Sequence, residues 1–156
     1  MLSDEDRPAV RDEGIPTFGD EEMATSGDEN TPVMSDELLW NTVKETAEQL
    51  PAAELYPFSF EWDAARVKGK WFMISTVRDQ RIVNLKADPQ DVLSLSADFP
   101  SISPGYHMNK KHWITIAPGE AVTVGLVREL VKQSYALVVE TLPKREQPVD
   151  PRSYLQ

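Results

Sequence analysis

Both histidines of the sequence and a pair of lysines fall within one short polar stretch, residues 104–112. Pro104 and Gly105 at its start predict a chain reversal. The four residues after the stretch, Trp-Ile-Thr-Ile, all favour β-structure, and the Pro-Gly pair at 118–119 ends that run. A basic turn anchored on a strand is a common position for a binding site. The alternative is an ordinary surface loop whose lysines are only solvated.

Further basic residues surround two other predicted turns. Arg66, Lys68 and Lys70 surround the first of these turns, and Arg78 and Arg81 surround the second. Bases at successive hairpin ends can form a positive patch that contacts phosphates, and the alternative is that they only keep the turns soluble. The candidate nucleic-acid-binding residues are therefore Lys68, Lys70, Arg78, Arg81, His107, Asn109, Lys110, Lys111 and His112.

Motifs of catalysis and metal binding are missing from the sequence. It contains no Gly-x-Ser-x-Gly elbow, no phosphate-binding glycine loop and no dinucleotide fingerprint. It has no cysteine, which excludes thiol nucleophiles and cysteine-ligated metals. His107 and His112 are five residues apart, so on a regular strand or helix they do not point at one metal ion. We therefore expect a protein that is not an enzyme and that holds no cofactor and no metal.

Two further sets of side chains allow a functional and a structural interpretation. Glu61 and Asp63 would share one face of a strand, where an exposed polar face is a simpler explanation than a catalytic acid pair. The tryptophans at 62, 71 and 113 are expected to be core or edge aromatics, and a base-stacking platform is the less favoured alternative. No strand carries the aromatic-plus-glycine pattern of an RNA-stacking sheet.

The negative charge of the chain is concentrated near its N-terminus. The net charge is −10, and residues 1–34 contribute ten acidic residues against two arginines, a net of −8. Low hydrophobicity with high net charge predicts a disordered acidic tail over 1–34. The alternative is an acidic arm that folds onto the lysine-rich loop and competes with an anionic ligand. The apolar runs are too short to span a bilayer and the acidic start is unlike a signal peptide, so we expect a cytoplasmic protein with no membrane partner.

The hydrophobic pattern predicts a two-layer α+β domain over 35–146, followed by a flexible C-terminal tail over 147–156. Ser35, Asp88 and Thr123 are placed to start three helices. Short turns between strands at 62–67, 71–77 and 81–86 predict an antiparallel sheet, which a strand at 113–116 extends. Residues 51–60 are expected to be an aromatic connector over a sheet edge. The second helix is expected to face inward with its large apolar residues, Val92, Leu93, Leu95 and Phe99.

Five short motifs follow one another along the chain: Gly69-Lys70-x-Phe72, Leu85-Lys86-x-x-Pro89, His107-x-Asn109-Lys110-x-His112-Trp113, Ser134-Tyr135 and Leu142-Pro143-Lys144. Together they resemble the MmcQ/YjbR family of small bacterial proteins. The resemblance implies a secretion-chaperone-like fold of the order α-β(3)-α-β(2)-α, with helices on one side of the sheet. It also implies DNA binding through a double-wing motif of hairpins. Because secretion chaperones bind protein segments, the same fold leaves a protein-protein interaction module as the alternative function.

The resemblance makes Asn109, His112 and Trp113 the fixed points of the polar loop. We expect Trp113 to be buried beside the apolar residues of its strand and Asn109 to hold the turn. His112 has two possible orientations. An inward ring would bond a neighbour, and an outward ring beside Lys110 would be available to an anion.

Overall fold

The structure, a computed structural model, describes residues 33–106 and 108–155. These residues form one compact unit with three α-helices and six β-strands. In chain order the elements are α1 (Asp36–Glu48), β1 (Ala53–Ser59), β2 (Trp62–Val67), β3 (Lys70–Arg78), β4 (Gln80–Lys86), α2 (Pro89–Asp98), β5 (Ile102–Pro104), β6 (Trp113–Ile116), α3 (Val124–Glu140) and two short 3-10 helices, Lys144–Glu146 and Pro151–Ser153.

The three helices begin where the capping residues predicted. The side chain of Ser35 accepts a hydrogen bond from the backbone N–H of Leu38 at 3.1 Å, and Thr123 accepts one from the residue three positions later at 3.0 Å. Asp88 accepts from the N–H of Gln90 at 3.1 Å, directly before a proline at the first helical position. Each cap satisfies a backbone donor that has no partner within the helix.

All six strands pair antiparallel in one sheet, in the order β1-β2-β3-β4-β6-β5. The three hairpin turns hold residues with positive φ: Glu61 at 64°, Lys68 and Gly69 at 51° and 82°, and Asp79 at 63°. Such angles suit the tight turns that join twisted strands. The predicted α+β class with an antiparallel sheet is confirmed.

The sheet has one strand more than the three-plus-two order that the resemblance implied. Residues 53–59, expected to be a connector, form the edge strand β1 and pair with β2. Pro57 lies in this strand, and proline is tolerated at a sheet edge because no neighbour needs its N–H there. The register shifts between Pro57 and Ser59, which leaves Phe58 as an extra residue. The proline and the shift together hid the strand from a search for regular alternation.

The three helices pack on one face of the sheet, and we call the opposite face the open face. Buried residues of α1, α2 and α3 join one core with the inward side chains of the strands. The sheet residues of this core include Val67, Met73, Val83, Leu85, Ile114 and Ile116. Their sequence neighbours Arg66, Ile74, Asn84 and Thr115 lie outside the core cluster, because successive strand residues point to opposite faces.

A β-bulge changes this alternation at one position of β3. Ala65 pairs with Met73, and the next residue, Arg66, pairs with Trp71, so Phe72 is an extra residue. Phe72 is fully buried and lies edge-on to Tyr135 of α3 at a centroid distance of 5.5 Å. The bulge therefore directs Phe72 into the core, while Trp71 lies on the open face.

Both boundaries of the folded unit differ from those predicted. Met34, assigned to the acidic tail, is 2% exposed and forms a β-bridge with Gly119. Residues 147–155, assigned to a flexible tail, contain a buried Pro151 and a ring contact between Tyr154 and Tyr135. Removing these apolar side chains from water lowers the free energy, which favours packed segments over solvated tails at both ends. The rest of the predicted acidic tail, residues 1–32, lies outside the described residues.

Helix α2 is less buried than its apolar residues suggested. Val92 is 2% exposed and belongs to the core, whereas Leu93 is 73% exposed. The helix lies near the β5 edge of the sheet, where a narrow stripe of apolar side chains is enough for packing. Within the part of the chain that the structure describes, no helix combines the length and apolar character needed to cross a bilayer.

Candidate nucleic-acid interface

The predicted basic residues lie at two opposite ends of the sheet. Lys68 and Lys70 flank the β2–β3 turn, and the loop at 105–112 lies at the same end, since β6 starts opposite the last residue of β4. Arg78 and Arg81 flank the β3–β4 turn at the other end. The two groups are separated by the length of β3, about 25 Å at the usual rise per residue. The structure therefore does not bring all of these basic residues into one patch.

At the first end, the two lysines of the β2–β3 turn differ in their contacts. Lys70 points toward the helices, and its Nζ donates to Oγ1 of Thr141 at 3.2 Å. Lys68 is exposed at the tip of the turn. An anion approaching this turn would meet Lys68 without first breaking an internal contact.

The polar loop is held by its own side chains. Oδ1 of Asn109 accepts from the backbone N–H of Lys111 at 2.8 Å, which is the turn-holding contact expected of an asparagine. Nζ of Lys110 donates to the carbonyl of Gly105 at 2.9 Å and closes the loop. The side chains of Lys111 and His112 are exposed. His112 thus has the outward orientation, and His107 lies outside the described residues.

Trp113 anchors this loop and is 7% exposed, as expected. A Cβ at Gly105 would lie 2.7 Å from the Cβ of Trp113, so only glycine allows this approach. The backbone N–H of Tyr106 donates to Oγ1 of Thr115 at 2.7 Å, and that hydroxyl donates to Asn84. Because Asn84 and Thr115 lie on the open face, the loop covers the β4–β6 part of that face. On β1, β2 and β3 the same face carries larger aromatic and basic side chains, and its residues Ala64 and Ile74 are buried.

At the other end, Arg78 and Arg81 lie on opposite faces of the sheet. Arg81 points toward the helices, where its guanidinium lies 4.4 Å from the ring of Trp40 and donates to Ser75 at 3.2 Å. Its side chain is 17% exposed and approaches Asp63 at 3.9 Å. Arg78 is exposed on the open face, with its guanidinium 5.7 Å from the ring of Trp62.

Four aromatic side chains of β1–β3 form a continuous cluster on the open face, which we call the aromatic cluster: Tyr56, Phe58, Trp62 and Trp71. The ring of Phe58 lies 6.0 Å from that of Trp62 and 4.9 Å from that of Trp71. Nε1 of Trp71 donates to the hydroxyl of Tyr56 at 2.7 Å. Trp71 remains 38% exposed. The cluster therefore presents aromatic surface to solvent.

Two arginines cover the ends of the aromatic cluster. Arg78 lies over Trp62, and the guanidinium of Arg66 lies 4.3 Å from the ring centre of Tyr56. Nε of Arg66 also donates to Glu54 at 2.8 Å, and this hydrogen bond raises the pKa of Arg66. The aromatic cluster thus has a guanidinium group stacked at each of its two ends.

The sequence prediction placed the candidate site at basic turns and in the polar loop, and interpreted the tryptophans as core or edge aromatics. Arg66 and Tyr56 share a face because Arg66 pairs with Glu54, which lies two residues before Tyr56 on β1. Finding them required the register of β1, which the proline at 57 obscured. The tryptophans were interpreted one by one, and because of the bulge at 72 simple alternation along β3 could not place Trp71 on the open face.

Charge is divided between the two layers of the domain. The three α-helices contain eight acidic and three basic residues, a net of −5. The six strands contain five basic residues, Arg66, Lys70, Arg78, Arg81 and Lys86, against two acidic ones, a net of +3. Lys70, Arg81 and Asp63 point toward the helices, so the charged strand residues of the open face are Arg66, Arg78 and Lys86 against Glu54, a net of +2. Among the described residues no group of three His, Asp or Glu side chains could hold a metal ion.

Comparison with known proteins gives consistent matches. Residues 48–137 match the model of the YjbR family. The chain is 47% identical over 116 residues to the uncharacterized protein YbdF of Escherichia coli O157:H7, covering 73% of this chain and 95% of that protein. It is 27% identical over 89 residues to the uncharacterized protein YjbR of Escherichia coli (strain K12), covering 55% and 75%. The crystal structure of protein DR2400 of Deinococcus radiodurans, with a DUF419 domain, superposes with a TM-score of 0.63 at 31% identity, covering 74% and 87% of the two chains.

Proposed function

Since this chain belongs to the YjbR family, we propose that it is a non-enzymatic, cytoplasmic nucleic-acid-binding protein that contacts DNA through the strand layer of its domain. The relatives described above are uncharacterized proteins, and their names assign no ligand. The proposal therefore rests on the charges and contacts of this chain.

The observation that carries the proposal is the separation of charge between the layers. A net of +2 on the strand residues of the open face opposes a net of −5 on the helices. A polyanion is attracted to the sheet and repelled by the helices, so the long-range field orients the encounter. The net charge of the whole chain does not exclude this, because binding depends on the field at the contacting surface.

Three basic residues are best placed to meet phosphates. Lys68, Arg78 and Lys111 are exposed, and none of them forms an ion pair with a described residue. Lys70, Lys110 and Arg81 make internal contacts that binding would have to break. We therefore assign phosphate contacts to the first three, and a structural role to the other three.

Salt dependence is the direct test of this proposal. The affinity for DNA should fall linearly on a plot of log K against log salt, with a slope of about −0.7 to −0.9 for each phosphate neutralised. Lys111→Ala and Arg78→Ala should each reduce that slope by about 1. The measurement is a fluorescence-anisotropy titration of the full chain at several salt concentrations.

Arg128→Ala is the matched control for these variants. Arg128 is an exposed basic residue on α3. Arg128→Ala therefore changes the net charge by the same amount as Arg78→Ala, but in the helix layer. Its slope should equal that of the unaltered chain. Equal effects of Arg128→Ala and Arg78→Ala would mean that only total charge matters, and undetectable binding at low salt would contradict the proposal.

The alternative function, a protein-protein interaction module, is favoured by the composition of the aromatic cluster. Exposed Trp, Tyr and Arg are the residues that most often dominate protein interfaces. Such an interface would depend on Trp71 and Phe58 but only weakly on salt. The salt titration thus separates the two functions.

A further inference from the structure

We propose that the aromatic cluster and its flanking arginines form a stacking platform for single-stranded DNA, an inference that rests on the nucleic-acid binding proposed above. The platform lies on the open face of β1, β2 and β3.

The first support is the arrangement of the aromatic rings. Trp71 pairs with Arg66, which is four residues from Trp62 on β2, so Trp71 and Trp62 are separated along the strands by about 13 Å. Phe58 bridges them by ring contacts. Phe60, in the turn that follows, is 85% exposed. The rings of Trp62, Phe58 and Trp71 thus form a row, and Phe60 lies in the turn at its Trp62 end.

The second support is the charge on the same surface. Arg66 and Arg78 lie over aromatic rings at the two ends of the row. Guanidinium groups stack on bases and pair with phosphates. The only acidic strand residue on this face is Glu54, and its carboxylate is bonded to Arg66. A positively charged track with interleaved aromatics is the combination that single-strand-binding surfaces use.

A single strand fits this surface better than a duplex does. Stacking on a protein ring requires an unpaired base whose face is accessible, and the bases of a duplex are already stacked on each other. A row of aromatic rings also contacts the faces of the bases and makes no hydrogen bonds to their edges. Binding is therefore expected to depend on strandedness and little on sequence.

The polar groups of the cluster offer no hydrogen bond that would select RNA over DNA. The indole N–H of Trp71 is bonded to the hydroxyl of Tyr56, and Glu54 is bonded to Arg66. Recognition of RNA uses hydrogen bonds to the 2′-hydroxyl. In the aromatic cluster these polar groups are already bonded to each other, so the surface offers ring faces and positive charge.

The experiment compares oligonucleotides of about 12 units, a length within the range that small single-strand-binding domains cover. Labelled oligo-dT, oligo-rU and a DNA duplex are titrated with the full chain at one low salt concentration. Oligo-dT should bind more tightly than the duplex and at least as tightly as oligo-rU. Phe60→Ala and Trp71→Ala should each weaken oligo-dT binding by about 5- to 100-fold, as expected for loss of one base–aromatic stack.

Leu93→Ala is the matched control, because Leu93 is an apolar side chain with 73% exposure on α2, away from the cluster. The affinity of the Leu93→Ala variant for oligo-dT should be unchanged. Phe60 has no ring contact or hydrogen bond with the described residues, so Phe60→Ala should keep the native unfolding midpoint. Trp71→Phe should retain most of the affinity that Trp71→Ala loses, since it keeps a ring.

Tighter binding of the duplex or of oligo-rU would overturn the inference, as would unchanged affinity in both Phe60→Ala and Trp71→Ala. In each of these cases the salt-dependent binding through Arg78 and Lys111 would remain, and the proposed function would stand. Loss of every oligonucleotide signal at low salt would overturn both.

Discussion

Arg78 and Arg81 are three residues apart and look equivalent in the sequence, yet they belong to two different surfaces. Arg81 lies under the helices with Trp40, Ser75 and Asp63 around it. Arg78 lies on the open face over Trp62 and is exposed. The difference shows that the strand face, and not the distance from a turn, decides whether a base stabilises the fold or is available to a ligand.

The same contrast between faces applies to the adjacent residues Phe72 and Trp71, where it predicts the largest effect. Phe72→Ala should destabilise the domain by about 3–5 kcal/mol, because a fully buried ring is removed. Trp71→Ala should cost about 1–2 kcal/mol, mainly the hydrogen bond to Tyr56. Chemical denaturation of the two variants gives both values. Equal losses would mean that the open face is part of the core.

Trp113 tests where the open face stops. It lies on that face by register but is buried where the loop packs, so Trp113→Ala should also cost about 3–5 kcal/mol. The urea midpoint should fall accordingly. A loss near that of Trp71→Ala would show that the loop leaves this part of the face uncovered.

Replacing each of the two arginines is expected to have an intermediate effect, on fold stability for Arg81 and on DNA binding for Arg78. Arg81→Ala should destabilise the fold by about 1–2 kcal/mol, because it leaves Asp63 and the hydroxyl of Ser75 with fewer partners. Arg78→Ala should leave the unfolding midpoint unchanged and lower the salt slope of DNA binding. A larger loss of stability for Arg78→Ala than for Arg81→Ala would contradict the assignment of the two arginines to different faces.

The helix-covered side also predicts a pH dependence. Burial raises the pKa of Tyr135 to about 12, and its hydroxyl donates to the carbonyl of Pro51. The folded state therefore keeps this proton more strongly than the unfolded state, whose pKa is near the ordinary value of about 10. This contribution is complete below pH 10 and is lost as the pH rises to 12. Tyr135→Phe, measured by denaturation across this range, should show a smaller loss.

The smallest effect is expected at His112. Its side chain is exposed and makes no hydrogen bond with the described residues, so His112→Ala should change the free energy of unfolding by less than about 0.5 kcal/mol. Asn109→Ala, which removes the bond to the N–H of Lys111, should cost about 1 kcal/mol. A loss above 1 kcal/mol for His112→Ala would assign it a structural role.

The sequence predicted most of the fold because its local signals agreed with each other. Ser35, Asp88 and Thr123 marked the helix starts, and short turns implied antiparallel neighbours. The strand β1 was missed because Pro57 and a register shift broke its alternation. Local patterns also could not show that Pro151 and Tyr154 pack on α3, since that contact joins residues about twenty positions apart or more.

The candidate site was less predictable, because it depends on which face each side chain occupies. Basic residues near turns were identified, but Lys70 and Arg81 point toward the helices. The aromatic cluster combines residues from three strands, and the bulge at Phe72 reverses the expected alternation within one of them. A sequence pattern of period two carries no information about such a bulge.

The most direct test of nucleic-acid binding by the strand layer is NMR chemical-shift mapping of the backbone amides during titration with oligo-dT at low salt. The account predicts shifts in β1, β2 and β3 and in the turns at 60–61 and 68–69, with α1, α2 and α3 largely unchanged. Shifts confined to the helices, or no shifts at saturating oligonucleotide, would contradict it.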